Sequence, residues 1–377
     1  MKSDFRFSKK YLSLLYSRVS KILPFLVMAT LALPLTAYTP EEVTSVNNIK
    51  SKNLDGKFVN NTETNVFSVK KLMSMVSNYI SEKSPESVPQ SDIPIQRISP
   101  SQILDANNNT MWRLGHSTIL LKLRNKLWLS DPVFSDRASP SQFVGPKRFH
   151  ENPISIDQLP NIAGVFFSHD HYDHLDKAAV LELNKKVEHF YTPLKLGDLL
   201  IQWGIPENKI TQLDWWETVS IGEVTLTCTP AQHFSGRGLF DSDKRLWASW
   251  VIETPALKLF FSGDSGYFKG FKEIGDRFGP FDVTFMETGA YNKSWDDIHM
   301  MPNQSIQAHL DLNGKWIYPI HNGTFDLSLH AWFDPFEKVT NLSKQFNVKL
   351  LTPMIGTPIN LLKPNSDNLW WKTFKDQ

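Results

Sequence analysis

The sequence predicts an α/β fold for the part of the chain from residue 101 to residue 377. Two observations point to this class. Short β-type runs alternate with helix-like segments throughout this part of the chain, as they do in βα units. Several of the β-type runs end directly in His or Asp, and polar side chains at neighbouring strand ends are what a shared site at one sheet edge requires.

The predicted strands are apolar and β-branched runs, and the predicted helices carry apolar residues at spacings of three and four. Thr118–Leu123 and Lys126–Ser130 are predicted to form a hairpin. The further strands are Gly164–Ser168, Val224–Thr229, Trp247–Glu253, Leu257–Ser262, Val283–Glu287 and Trp316–Ile320. The helices are Lys177–Lys186, Pro193–Trp203, Phe271–Phe278, Asn303–Leu312 and Pro335–Phe346. No sequence repeat or Gly-rich phosphate loop is present.

The first 37 residues differ in composition from the rest of the chain. Six basic side chains precede the uncharged apolar stretch Ile22–Leu35, and small residues follow near Ala37. This pattern predicts a signal peptide or a retained membrane anchor, and a buried or organellar segment is the third alternative. Either of the first two would place the domain outside the cytoplasm, as a periplasmic, secreted or membrane-anchored protein.

Residues 38–100 are predicted to connect this leader to the domain. Residues 38–64 are rich in Asn, Thr, Ser and Lys and indicate a polar tether. Residues 65–83 predict an amphipathic helix, whose apolar stripe could pack on the domain or lie on a membrane surface. Residues 84–100 contain four prolines and indicate an extended linker.

The composition excludes several classes of function. The formal net charge is +1 and no Lys/Arg block lies in the C-terminal three-quarters, so no nucleic-acid partner is expected. Cys228 is the single cysteine, which excludes an internal disulfide and a cysteine-based zinc site. A lone cysteine is compatible with an oxidising compartment. The oligomeric state is left open.

A cluster of potential metal ligands follows the predicted strand at 164–168. His169, His171, Asp173 and His174 form an H-x-H-x-D-H arrangement within six residues. Imidazoles with a carboxylate suit Zn²⁺, or a related cation such as Mn²⁺ or Fe²⁺. A His-rich surface loop is the alternative, and the ligand-type residues elsewhere in the chain argue against it.

Those residues lie at the ends of other predicted strands, except His116, which lies just before the first of them. A single His or Asp after a strand is a weak signal, but the set as a whole indicates a metal site. The positions are His116, Asp131, His233, Asp264 and His321.

The order H-x-H-x-D-H, then His, then Asp, then His resembles the metallo-β-lactamase superfamily. The flanking sequences are similar to the branch of N-acyl-phosphatidylethanolamine-hydrolysing phospholipase D. They are Leu114–Thr118, Asp131–Pro140, His171–Asp176, Ser235–Asp241, Phe271–Gly275 and Arg277–Asp282, and the resemblance covers roughly residues 100–360.

The resemblance implies a four-layer αβ/βα sandwich of two mixed sheets with helices outside. It also implies two Zn²⁺ ions. The first would be held by His169, His171 and His233, the second by Asp173, His174 and His321, and Asp264 would bridge them. A metal-bridging hydroxide would attack the phosphorus of a phosphodiester, which makes Asp173 and Asp264 catalytic as well as ligating residues.

Other roles implied by the resemblance are less direct. Asp131 would orient a metal-binding His, or only cap a turn before Pro132. His299 would donate a proton to the leaving group or contact substrate, or be a loop His. Arg237 would pair with a phosphate, or form a surface ion pair, and Tyr172 would line the substrate pocket. Two positions depart from the branch, Asn322, where Trp is usual, and Glu287, where an apolar residue or Pro is usual.

The sequence is compatible with three functions. The first is a zinc hydrolase that acts on a membrane phospholipid and releases N-acylethanolamine and phosphatidic acid. The second is a metal-dependent lactonase or a hydrolase of another small ester or phosphoester. The third is a non-catalytic, membrane-tethered binding protein, which would be expected to have lost ligands.

Overall fold

The computed structural model describes residues 50–62, 64, 81–365 and 369–375, and the elements below are numbered within these ranges. The predicted leader and nearly all of the predicted amphipathic helix fall outside them. Among the described residues, no helix is both long enough and apolar enough to cross a bilayer.

Seven strands form the first sheet. In chain order they are β3 (Thr110–Gly115), β4 (Thr118–Leu123), β5 (Lys126–Ser130), β6 (Ile162–Phe166), β7 (Val187–Pro193), β8 (Ile210–Leu213) and β16 (Ile359–Asn360). The spatial order is β16-β3-β4-β5-β6-β7-β8. Pairing is antiparallel from β16 to β5 and parallel from β5 to β8.

The second sheet also has seven strands, and it too is antiparallel in one half and parallel in the other. They are β9 (Thr218–Ile221), β10 (Val224–Thr229), β11 (Ser249–Glu253), β12 (Lys258–Phe261), β13 (Phe281–Glu287), β14 (Gly314–Ile320) and β15 (Lys349–Leu350), and they are ordered in space as in the chain. Pairing is antiparallel from β9 to β12 and parallel from β12 to β15. A separate two-stranded hairpin consists of β1 (Lys52–Leu54) and β2 (Lys57–Val59).

The helices lie on the outer faces of the two sheets. They are α1 (Pro100–Asp105), α2 (Lys177–Leu183), α3 (Leu196–Gln202), α4 (Gly270–Phe278), α5 (Pro302–Asp311), α6 (Asp334–Gln345) and α7 (Trp370–Lys375). Buried residues of α2 and α3 pack on the first sheet, and buried residues of α4, α5 and α6 pack on the second. The predicted sandwich of two mixed sheets with helices outside is confirmed.

Alternation along the strands produces this layering. In β12, Leu259 and Phe261 face the core between the sheets, and Phe260 faces the helices on the other side. Successive side chains of a strand point to opposite faces, so a strand that is apolar throughout supplies two layers.

The segment before the domain lies against it rather than apart from it. Residues 85–91 form turns and bends, residues 92–98 belong to no helix or strand, and the backbone bonds of this segment to the domain include Ile93 N–H to Phe149 O at 2.7 Å and Ile98 N–H to Pro153 O at 2.9 Å. Phe58 of β2 is buried in the core between the sheets. Part of the predicted tether is therefore built into the fold.

Candidate metal centre

The predicted ligands meet at one edge of the sandwich. The loop after β6 carries four of them, and His233, Asp264 and His321 follow β10, β12 and β14. Parallel neighbours end at the same edge of their sheet, which brings these side chains together. The backbone is strained here, because His321 has φ +64° and Asp131 has φ +36°, and such outliers cluster at functional sites.

Three imidazoles form the first set. His171 Nδ1 lies 2.9 Å from His169 Nε2 and 3.2 Å from His233 Nε2. Tetrahedral zinc with Zn–N bonds of roughly 2.0–2.1 Å separates its ligand atoms by about 3.3 Å. The three nitrogens are therefore spaced as ligands of one ion.

The second set contains Asp173, His174 and His321. Asp173 Oδ2 lies 3.1 Å from His321 Nε2 and 3.6 Å from His174 Nε2. His116 joins this set, with Nε2 3.0 Å from Asp173 Oδ2 and its ring 4.0 Å from that of His321. The resemblance did not include His116 among the ligands of either ion.

Asp264 lies between the two sets. Its Oδ1 is 3.1 Å from His174 Nε2, and its Oδ2 is 2.9 Å from His321 Nε2. The same Oδ2 is 3.8 Å from Nε2 of both His169 and His233. Gly263 permits this position, because a Cβ there would lie 2.4 Å from Ser168 Cβ and its φ is +55°.

The residues fit a metal pair. His174 Nε2 and Asp264 Oδ1 are buried and, although they lie 3.1 Å apart, neither forms a hydrogen bond with a described residue; a bound cation would supply the missing partner. Burial and neighbouring imidazoles hold the pKa values of His169 and His233 well below the usual range, so both rings are neutral, as ligands must be. Burial raises the pKa of Asp264, but His174 and His321 outweigh it and lower that pKa well below its usual value.

Asp131 holds one of the ligands. Its Oδ2 accepts from His174 Nδ1 at 2.7 Å, and its Oδ1 accepts from Ser168 N–H at 2.7 Å. The carboxylate is fully buried, so it stands behind the second set rather than in the pocket. This is the geometry of an outer-sphere residue that orients an imidazole.

Arg237 and Tyr172 form a unit that holds the ligand loop. Arg237 Nη1 donates to Asp170 O at 2.6 Å and to Leu175 O at 2.7 Å. Its guanidinium lies 3.9 Å from the centre of the Tyr172 ring, and Tyr172 Oη donates to Arg237 O at 2.9 Å. Arg237 is thus not in a surface ion pair, and its contact with a phosphate stays a prediction.

His299 lies beside both sets. Its ring centre is 5.2 Å from that of His233 and 5.3 Å from that of His321, and its side chain is 14% exposed. Its roles as proton donor and as substrate contact stay predictions. The position fits either.

Asn322, which differs from the residue usual in the branch, is hydrogen-bonded to Arg113. Arg113 Nη1 donates to Asn322 Oδ1 at 3.0 Å, and its Nε donates to His116 O at 3.0 Å. Asn322 Nδ2 donates back to Ile320 O at 3.0 Å. These bonds tie the loop that carries His321 to the loop that carries His116.

Asn60 was not predicted from the sequence, and it forms hydrogen bonds with the backbone of the candidate ligand His233. Asn60 Nδ2 donates to His233 O at 2.7 Å, and Asn60 Oδ1 accepts from His233 N–H at 3.1 Å and from Trp247 Nε1–H at 2.9 Å. Asn60 and His233 are 173 positions apart in the chain. The composition of residues 38–64 gave no signal for this contact.

Asn60→Ala is expected to lower zinc affinity by about tenfold or more, since residues that orient a ligand commonly contribute 10–100-fold. Competition with a chromogenic chelator measures the affinity. Asn53→Ala is the matched control, because Asn53 is exposed in the hairpin that directly precedes Asn60. Equal affinities of the two variants would show that Asn60 does not position His233.

Zinc binding at pH 7 is expected to release protons. Burial disfavours the charged ring of His321, but Asp264 and Asp173 outweigh it and raise its pKa to about 10. Burial also disfavours the charged ring of His174, but Asp264 and Asp173 again outweigh it and raise the pKa of His174 well above its usual value. Both rings are protonated without metal and must lose that proton to bind it, so affinity rises with pH up to about 10. Calorimetry in two buffers of different ionisation enthalpy measures the release, and identical apparent enthalpies would contradict it.

Comparison with known proteins agrees with this geometry. A family described as "Beta-lactamase superfamily domain" matches residues 128–322. An uncharacterized protein of Mycobacterium tuberculosis is 39% identical over 84% of this chain and 86% of its own length. The N-acyl-phosphatidylethanolamine-hydrolyzing phospholipase D 1 of Caenorhabditis elegans is 33% identical over 74% of this chain and 81% of its own length. The structure of Igni18, a metallo hydrolase from Ignicoccus hospitalis, has a TM-score of 0.51 at 18% identity, over 66% of this chain and 97% of that one, and supports the fold.

The chain belongs to the metallo-β-lactamase superfamily. It is a metal-dependent hydrolase of that superfamily, with a buried His/Asp site arranged for two ions.

Proposed function

We propose that the protein is a zinc-dependent phosphodiesterase that cleaves N-acyl-phosphatidylethanolamine into N-acylethanolamine and phosphatidic acid. The observation that carries the proposal is the position of Asp264, with one oxygen toward His174 and the other within 4 Å of His169, His233 and His321. The identity with the Caenorhabditis elegans enzyme supports the choice of substrate.

The residues of the candidate centre would have different roles in the reaction. His169, His171 and His233 would hold one zinc ion, Asp173, His174 and His321 the other, and Asp264 both. Two ions so held would supply a water of lowered pKa and neutralise charge on the phosphodiester. Asp131 fixes the ring of His174 through its Nδ1, so that Nε2 stays directed at the centre. Partly exposed His299 would meet the leaving group.

Two exposed aromatic residues support a membrane surface as partner. Phe143 is 93% exposed on the loop after Asp131, and Phe240 is 78% exposed on the loop after His233. Both loops leave the edge of the sandwich where the ligands meet. Aromatic tips around a lipid-hydrolysing site can insert into a bilayer. The proposal includes export of the domain by the leader at residues 1–37.

Phe143→Ser and Phe240→Ser are each expected to lower activity on phospholipid vesicles about tenfold, because insertion of one aromatic ring contributes roughly 1.5–3 kcal/mol. Activity on a water-soluble phosphodiester is expected to stay at the parent level. Phe346→Ser is the matched control, since Phe346 is 45% exposed beyond α6, near the start of β15 rather than at the ligand edge. Parent-level activity of both variants on vesicles would exclude this membrane contact.

The substrate proposal is tested by supplying zinc-loaded protein with N-acyl-phosphatidylethanolamine, a soluble phosphodiester and a panel of lactones. Release of N-acylethanolamine and phosphatidic acid by the parent, and not by Asp173→Asn, is the expected result. Turnover of a lactone alone would favour the lactonase. Two bound zinc ions without any turnover would favour the binding protein.

A further inference from the structure

Glu287 is a fully buried carboxylate at the end of β13, beside the candidate centre. Its Oε1 lies 2.8 Å from His299 Nδ1, and its Oε2 accepts from Met300 N–H at 3.1 Å. Among the described residues no Lys or Arg forms a salt bridge with it. A buried carboxylate needs partners that justify its desolvation, and both oxygens of this one are directed at residues 299 and 300.

The contact determines which nitrogen of His299 is available. Because Nδ1 faces Glu287, Nε2 is the ring nitrogen left for a substrate. Ligand-type atoms of His299, His233 and Asp264 lie within 4.8 Å of one another, as do those of His299, Glu287 and His321. His299 thus lies between the buried carboxylate of Glu287 and the ligand atoms of the candidate centre.

We propose that Glu287 is a positioning residue that keeps a proton on His299 Nδ1 and directs Nε2 at the leaving-group oxygen of the substrate. The identity of that leaving group rests on the proposed phosphodiesterase function, whereas the contact between Glu287 and His299 does not. A carboxylate that fixes the tautomer and orientation of a catalytic imidazole is an established device in hydrolases.

The proton transfer balances. As the phosphorus–oxygen bond breaks, its electron pair stays on the leaving alkoxide, and the Nε2 proton passes to that oxygen. His299 is left as a neutral ring that keeps its Nδ1 proton and donates it in a hydrogen bond to Glu287, and solvent supplies the next Nε2 proton. General acid catalysis of this kind contributes about 10²–10⁴-fold.

Leaving groups of different basicity test the step. An alkyl phosphodiester needs a proton on its leaving oxygen, whereas a p-nitrophenyl phosphodiester does not. Glu287→Met and His299→Asn are each expected to lower kcat about 10²-fold or more on the alkyl substrate and less than about tenfold on the nitrophenyl substrate, with KM little changed. Glu287→Gln, which keeps an acceptor for Nδ1–H, is expected to restore part of the loss.

Ser305→Ala is the matched control, since the Ser305 hydroxyl donates to the backbone carbonyl of Glu287 at 2.7 Å and leaves its carboxylate untouched. Its rates are expected to show no dependence on the leaving group. Equal losses on both substrates in Glu287→Met would show a merely structural carboxylate and would overturn the proposal.

A second measurement does not depend on turnover. In ¹⁵N-histidine spectra of the zinc-loaded protein, His299 is expected to carry a proton on Nδ1, and Glu287→Met is expected to shift that resonance. The spectrum of His299→Asn assigns it. An Nδ1 without a proton, or an unchanged resonance in Glu287→Met, would overturn the proposal. If no phosphodiester is hydrolysed, the proposed function fails, while this spectrum still decides the role of Glu287.

Discussion

Asp264→Asn is expected to lower kcat/KM by about 10³-fold or more, which corresponds to about 4 kcal/mol of transition-state stabilisation. The carboxylate lies against both ligand sets, and its oxygens are the only anionic atoms placed between them among the described residues. Asparagine keeps the volume and removes the charge. His174 and His321 would then be buried beside a neutral group, and the two-ion arrangement would lose its shared ligand.

Metal analysis and kinetics together measure this effect. Asp276→Asn is the matched control, because Asp276 is exposed on α4 and pairs there with Lys272. Circular dichroism confirms that each variant folds. An Asp264→Asn protein that binds two zinc ions and stays within tenfold of parent activity would contradict a bridging role.

Asp131→Asn is expected to lower zinc affinity by about 10–100-fold. Asparagine tolerates the positive φ of this position, so the backbone is not expected to move. The amide has one acceptor oxygen, whereas the carboxylate serves His174 Nδ1 with one oxygen and Ser168 N–H with the other. His174 therefore loses either its orientation or its anionic partner.

Chelator competition measures the affinity for each ion, and the weaker binding is expected in the set that contains His174. Asp136→Asn is the control, since Asp136 is exposed on the same loop. Unchanged affinity in Asp131→Asn would mean that Asp131 only caps the turn before Pro132.

The strand ends, and the approach of the candidate ligands to one another, could be predicted from the sequence for a physical reason. His169, His171, Asp173 and His174 are contiguous, so local strand and turn geometry brings them together without help from distant parts of the chain. His233, Asp264 and His321 each follow an apolar strand with a clear boundary. The superfamily resemblance supplied the order of the two sheets, which strand patterns alone would have left as a generic α/β fold.

The supporting contacts could not be predicted, because they join distant segments. Asn60 reaches His233 across 173 positions, and Arg113 reaches Asn322 across 209. Short β strands of two to four residues, such as β15 and β16, owe their assignment to pairing with longer neighbours rather than to their own pattern. Glu287 was visible as a departure from the branch, but only the packing shows that it faces His299.

The proposed function is tested most directly by hydrolysing N-acyl-phosphatidylethanolamine in ¹⁸O-labelled water and measuring the masses of the products by mass spectrometry. Attack on phosphorus at the zinc centre predicts one ¹⁸O atom in phosphatidic acid and none in N-acylethanolamine. Label in a released fatty acid, or unlabelled phosphatidic acid, would contradict a phosphodiesterase of this type.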